Sequence, residues 1–351
     1  MKAPLSALAV PALLALLAAP AAAADAAACD LRAEPEKAIP ACDKALANPA
    51  LEPRERRRLL LARAANLVKK QKFAEAIADY SAVLKDDPAN AEALLGRADL
   101  FLMTGQVNRA IADYSKVVAA DPKNVRAHMG RAVAWQFRGK PENALKDLDV
   151  AIEADPKNAQ LHAQRASILM RMNRPKEAIN DFNQAIFADP NDIDAREGRA
   201  AAWMRLKEWA NAANNLDVAI RLRPDRASLY EKRARANWRL GRREKALADL
   251  SMVVRLKPDH PRPLIDRGIV RLRMGRVKDA LADFAAAEKK GGASPSLHYF
   301  RARAWERLNR PRKAIEAEYE RALKAPAANM ADARARMEAD ARLKALRATG
   351  K

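Results

Sequence analysis

Arginine recurs every 34 residues along most of this 351-residue chain, at Arg63, Arg97, Arg131, Arg165, Arg199, Arg233, Arg267 and Arg301. Carboxylates keep the same step at Asp79, Asp113, Asp147, Asp181, Asp249 and Asp283, with Asn215 in the place of one. Two chemistries fit such paired series. An exposed arginine ladder would bind a polyanion, whereas an internal ladder would pair each guanidinium with a carboxylate of a neighbouring element. Partly buried charges need partners, so the internal ladder is the preferred reading. Arg199 then faces Asp181 or Asn215, according to which element it meets.

His128, His162 and His298 share one place in the same step. Stacked helices hold equivalent residues about 10 Å apart, against metal–ligand distances of about 2 Å, so these histidines are not expected to share a metal. No Ser/His/Asp set or carboxylate pair stands apart from the periodic residues, and no glycine-rich phosphate loop follows a strand. Neither catalysis nor a cofactor is therefore expected. Composition agrees: 50% hydrophobic and 31% charged residues allow a soluble chain with a core, while only 11 glycines argue against β-rich or dinucleotide-binding architectures. Lys+Arg is 65 against Asp+Glu 44, a net charge of +21 that favours acidic partners and says nothing of fold.

The charged series needs a repeated element to position it. Pro88, Pro122, Pro156, Pro190, Pro224 and Pro258 stand 34 residues apart, and Pro326 falls on the same grid. With the proline as slot 32, the units are 57–90, 91–124, 125–158, 159–192, 193–226, 227–260, 261–294 and 295–328, a period that points to helical hairpins. Slot 20 is Ala throughout (Ala76 to Ala314), and slot 8 is Ala except at Gly268. Two small slots of this kind suit two antiparallel helices crossing closely. Slot 24 is bulky, as at Tyr80, Tyr114, Leu148 and Phe182. Together with slots 20 and 27 it makes an amphipathic stripe. Gly105, Gly139, Gly241, Gly275, Asn173 and Asn309 at slot 15 suit the left-handed end of a first helix. Pro141, Pro175 and Pro311 suit the first turn of a second. Asn90, Asn124, Asn158 and Asp192 at slot 34 are placed to cap the next unit.

This pattern closely resembles the tetratricopeptide repeat (TPR) family over 57–328. The resemblance rests on the small slot 8, the apolar or aromatic slot 11 (Phe101, Trp135, Trp203, Trp305), Ala at 20, the aromatic or Leu at 24 and Pro at 32. The family's slot 4 Trp is absent, with Leu94 and the three histidines in its place. The resemblance implies an all-α, right-handed superhelical solenoid of about eight helix-turn-helix units, whose concave face of A helices binds peptides or proteins. The last unit carries one extra residue before Tyr319, so its second helix should be shifted or distorted.

The ends read differently. Residues 1–24 have the charged, apolar, small-residue order of a secretory signal, with cleavage expected after Ala24 and Ala23 or Ala28 as alternatives. The rival reading is a retained membrane anchor, which Pro11, Pro20 and the heavy alanine content disfavour. Export to a bacterial periplasm, or beyond, makes Cys29 and Cys42 candidates for a disulfide closing a 14-residue loop; two unpaired thiols is the other reading. Residues 36–49 look like a stray second helix, so 25–56 reads as an N-terminal half-repeat and cap, resembling the two-Cys cap of exported bacterial TPR proteins. Residues 329–351 read as a capping helix, since arrays need solvated ends.

On the family's geometry, slots 2, 5, 9, 12 and 13 of each A helix face the groove. The Lys/Asn clamp of the chaperone-tail-binding subset is absent. The first half offers Leu61, Leu95, Met103, Met129, Phe137 and Met170; the second offers Arg171, Arg205, Arg235, Arg239, Arg273, Arg303 and Arg307. Slot 13 alone supplies five successive arginines with no evident partner slot, either a ligand-facing stripe or a solvated face. The expected function is a non-catalytic envelope scaffold that binds a protein or peptide, with apolar contacts at one end and acidic groups at the other. The alternative is a non-protein polyanion such as an envelope glycan, an anionic lipid or nucleic acid, the last disfavoured by export.

Overall fold

The computed structural model describes residues 26–29 and 34–348. The expected signal at 1–24 lies outside them. All regular structure among the described residues is helical. The chain forms two compact units, Met1–Ile168 and Leu169–Lys351.

In the first unit the helices are α1 (Pro35–Leu46), α2 (Pro53–Lys69), α3 (Phe73–Asp86), α4 (Ala91–Met103), α5 (Val107–Ala120), α6 (Val125–Phe137) and α7 (Pro141–Ala154). The unit boundary falls within α8 (Ala159–Arg171). The second unit continues with α9 (Pro175–Ala188), α10 (Ile193–Arg205), α11 (Trp209–Leu222), α12 (Ala227–Arg239), α13 (Arg243–Leu256), α14 (Pro261–Arg273) and α15 (Val277–Lys289). It ends with α16 (Pro295–Arg307), α17 (Arg312–Lys324) and α18 (Met330–Ala348). Consecutive helices pack on one another from α1 through α7 and from α9 through α18, and α18 lies against both α16 and α17. Each unit is thus a stack of helical hairpins, an α-solenoid arrangement.

The hairpins form where the small residues permit. Ala64, Ala98, Ala132 and Ala166 at slot 8, and Ala76, Ala110 and Ala144 at slot 20, are fully buried. Side-chain oxygens of Asn90, Asn124 and Asp192 accept from the third helical N–H, and that of Asn158 accepts from Gln160 N–H. Every slot 15 residue is left-handed, including Gln71 (φ 59°) and Lys207 (φ 62°), whose residue types do not announce it.

A third small slot was not anticipated. Gly96, Gly130 and Gly198 at slot 6 lie under the slot 24 rings of the preceding helix: Tyr80, Tyr114 and Phe182. Where slot 24 is leucine, as at Leu148, Leu216 and Leu250, the following slot 6 is Gln164, Lys232 or Asp266.

The extra residue of the last unit displaces its second helix by one position without breaking it. Helix α17 starts after Pro311, which stands just before the helix rather than in its first turn. Ile315 takes the buried place expected of Ala314, and Tyr319 is fully buried. At the N-terminal end Cys29 and Cys42 form a disulfide, buried with Leu59 and Ala62 of α2.

Candidate binding groove

The slot 7 arginines are internal braces. Bidentate or near-bidentate bonds join Arg63 to Asp79 (2.9 and 2.7 Å), Arg97 to Asp113 (2.8 and 3.0 Å), Arg131 to Asp147 (2.9 and 2.6 Å) and Arg267 to Asp283 (3.1 and 2.6 Å). Arg233 meets Asp249 in the same way. Arg199 faces Asn215, not Asp181, because the partner lies in its own hairpin. With no carboxylate there, burial and nearby Arg196 hold the Arg199 guanidinium below its ordinary pKa.

A second partner series escaped the sequence reading. Slot 25 of the preceding unit receives the other guanidinium nitrogen: Ser81 from Arg97 (3.0 Å), Ser115 from Arg131 (3.0 Å), Asp149 from Arg165 (2.7 Å), Asn183 from Arg199 (2.8 Å) and Asp217 from Arg233 (2.7 Å). Each of these arginines therefore ties its hairpin to the one before. The signal in the sequence was the recurrence of a short polar residue at slot 25. In the last unit the displaced helix brings Glu318 to Arg301 (2.6 Å), and Glu288 accepts from its other nitrogens.

The slot 4 histidines belong to this frame. His128 Nδ1 lies 2.9 Å from Asp147, and its Nε2 lies 2.9 Å from the Pro122 carbonyl. His162 Nε2 meets the Pro156 carbonyl at 2.9 Å, and His298 Nδ1 meets Glu318 at 2.6 Å. Among the described residues no group of three or more His, Cys, Asp or Glu is arranged to hold a metal ion.

The A helices of each unit border cavities. In the first unit one of about 440 Å³ is lined by Leu102, Met129, Val133, Gln160, Gln164 and Ser167, together with Asp99 and Tyr114. These are mainly slot 2, 5, 6, 9 and 12 residues of successive A helices. The lining is apolar with neutral amide and hydroxyl groups, and Asp99 is already engaged by Tyr114 and by Arg126 at 2.7 Å. Burial first, and Asp99 second, push the Tyr114 phenol up. The second unit has cavities of about 310 and 260 Å³ on its A helices. Their lining is more charged: Arg262 bonds Asp266 (3.0 Å), Lys257 pairs with Glu231 (2.9 Å), and Arg334 with Glu338 (2.8 Å). Burial raises the Asp266 carboxyl in spite of Arg262.

The expected groove residues are distributed unevenly over these surfaces. Met129 lines the first-unit cavity, while Leu61 is half-buried and Leu95 is buried in the core. Met103 and Phe137 are exposed side chains at slot 13 (64% and 71%), outside the cavity lining. Met170 is half-buried and Arg171 exposed. In the second unit Arg235 and Arg273 line one cavity.

The arginine stripe is more engaged than its spacing suggested. Arg205 and Arg307 donate to the carbonyls of Met170 and Leu272, near the C-terminal end of the preceding A helix. Arg239 lies over Trp209 at 5.5 Å, and Arg273 over Trp238 and Phe300 at 5.8 and 5.9 Å. Arg303 bonds Tyr299 and Glu306. Trp135, Trp203 and Trp305 are half-buried, and Trp203 and Trp305 pack against the core of the second unit. Trp238, one slot beyond them, lines the groove.

Profiles of the tetratricopeptide repeat match residues 61–124, 104–159, 138–202, 208–261 and 265–333. The chain belongs to the tetratricopeptide repeat family, whose arrays serve as scaffolds for protein–protein interaction and are in general non-catalytic. No curated protein matches the chain. Among solved structures, a tetratricopeptide repeat protein from Parabacteroides merdae is 21% identical, with 67% of this chain and 93% of that one aligned at a TM-score of 0.52. PilF of Pseudomonas aeruginosa is 20% identical over 62% of this chain and 98% of its own, at a TM-score of 0.50. At these identities the likeness bears on the fold alone. Among the described residues no helix is long and apolar enough to cross a membrane.

Proposed function

We propose that the chain is an exported, non-catalytic scaffold of the bacterial envelope that holds an extended segment or helix of a partner protein in its groove. The observation carrying this reading is the cavity over successive A helices of the first unit and the two over those of the second, none of them lined by a slot 7 arginine. The neutral, apolar lining around Met129 and Val133 suits aliphatic side chains. The arginines of the second unit suit acidic ones. Pairing of the slot 7 arginines within the fold takes much of the positive charge away from any polyanion, which weakens the alternative of a glycan, lipid or nucleic acid ligand. The Cys29–Cys42 disulfide fits an oxidising compartment and the signal read at 1–24. Residues 25–56 and 329–351 would then be the caps of a 57–328 array.

The test is capture of partners from envelope extracts. Wild type is compared with Val133→Glu and with an Arg205→Glu, Arg239→Glu, Arg273→Glu triple variant, each first checked for native helicity and unfolding. Loss of the captured protein in either variant supports the groove. Equal capture and equal salt sensitivity in both would overturn it.

A further inference from the structure

The two cavities of the second unit meet at Arg262, Ile269 and Arg273, which line both. Trp238 and Val270 line the first; Phe300 lines the second, together with Arg334 and Ala335 from α18. The terminal helix therefore contributes a wall to a groove cavity as well as covering the end of the stack.

The charges in this double cavity are of two kinds. Arg262, Glu231 and Arg334 are each matched by a neighbour of opposite sign. Arg235 and Arg273 have no ion pair among the described residues. Arg273 is held between two aromatic rings, at 5.8 Å from Trp238 and 5.9 Å from Phe300, just where the cavities join. Its guanidinium lies over two rings while no carboxylate pairs with it, so its N–H groups are free to donate to an anion. Glu231, Asp266 and Glu338 also line the cavities, and they would repel a multiply charged anion. A single carboxylate is the anion that fits.

Resting on the groove reading above, we propose that this double cavity holds a short peptide segment bearing a carboxylate beside an apolar side chain. The carboxylate sits on Arg273 and Arg235, and the apolar group lies against Trp238, Ile269 and Phe300, with α18 as the far wall. A side-chain carboxylate and a peptide C-terminus offer the same chemistry here, and the experiment separates them.

Three labelled peptides are titrated against the full processed chain by fluorescence anisotropy. One carries a single aspartate beside a central phenylalanine and an amidated C-terminus. The second replaces that phenylalanine by serine. The third is neutral and ends in phenylalanine with a free carboxylate. The first or third is expected to bind, whichever is tighter naming the source of the carboxylate, and the serine peptide about tenfold more weakly than the first. Arg273→Gln should raise the Kd about tenfold and Arg235→Gln should raise it less, both at unchanged helicity. Arg334→Glu should weaken binding as well. The proposal is overturned if wild type binds none of the peptides, if the serine peptide binds as well as the first, or if Arg273→Gln leaves every Kd unchanged. Should Val133→Glu abolish partner capture while Arg273→Gln changes nothing, the groove reading stands and only this site falls.

Discussion

The ring of Tyr114 occupies the space that a side chain at Gly130 would need: a Cβ there would lie 2.5 Å from Tyr114 Cζ. The same fit joins Tyr80 to Gly96 and Phe182 to Gly198. A helix-interior glycine normally costs about 1 kcal/mol relative to alanine. Here the ring of the preceding hairpin explains its presence.

Gly130→Ala should therefore destabilise the chain by about 1–3 kcal/mol through overpacking. In a Tyr114→Leu background the same change should become neutral or stabilising, since Leu148 tolerates Gln164 at the equivalent place. Urea unfolding of the two single variants and the double variant gives the coupling; additive effects would refute the contact.

Asp147 is buried between Arg131 and His128. Asp147→Ala should cost about 3 kcal/mol by stranding both partners. Asp147→Asn should cost less, because Asn215 performs this task for Arg199. Chemical denaturation followed by circular dichroism ranks the three proteins.

Reducing the Cys29–Cys42 bond, which spans 13 positions, should lower stability by about 3 kcal/mol in the chain-entropy picture. Hydrogen exchange should show the loss concentrated in α1, which carries Cys42, and in α2, which packs against the bond. Uniform loss across both units would contradict a local staple.

The hydrogen bond from Arg301 holds the Glu288 carboxyl below the usual glutamate range, although burial opposes it. A depressed folded-state value means that this pair stabilises at neutral pH. The contribution begins to fade as pH falls below the unfolded value near 4.5 and is lost through the folded one. Glu288→Gln should flatten the acid limb of the Tm against pH curve; an unaltered limb would count against the pair.

Much of this architecture could be read before the structure, and the reasons are local. Small residues at slots 8 and 20, glycine or asparagine at slot 15 and a capping side chain at slot 34 each satisfy a requirement within one hairpin. What escaped depends on contacts between hairpins. Gln71 and Lys207 are the exception: their left-handed conformation serves the turn inside their own hairpin, and neither residue type signals it. The bonds from Arg205 to Met170 and from Arg307 to Leu272 cross to the previous repeat through a long side chain, so residue spacing gave them no signature. Trp238, one slot beyond Trp135, Trp203 and Trp305, lines a cavity as well as packing on the core, a difference of one position that the repeat pattern does not signal.

The double bracing of Arg97 and Arg131 makes neighbouring repeats exchangeable parts. If residues 91–124 were excised, Arg131 would find Ser81 where Ser115 had stood, and Gly130 would meet the ring of Tyr80 instead of Tyr114. The joint would be chemically the same one, so this stretch of the chain can be shortened by a whole module without any new seam having to be invented.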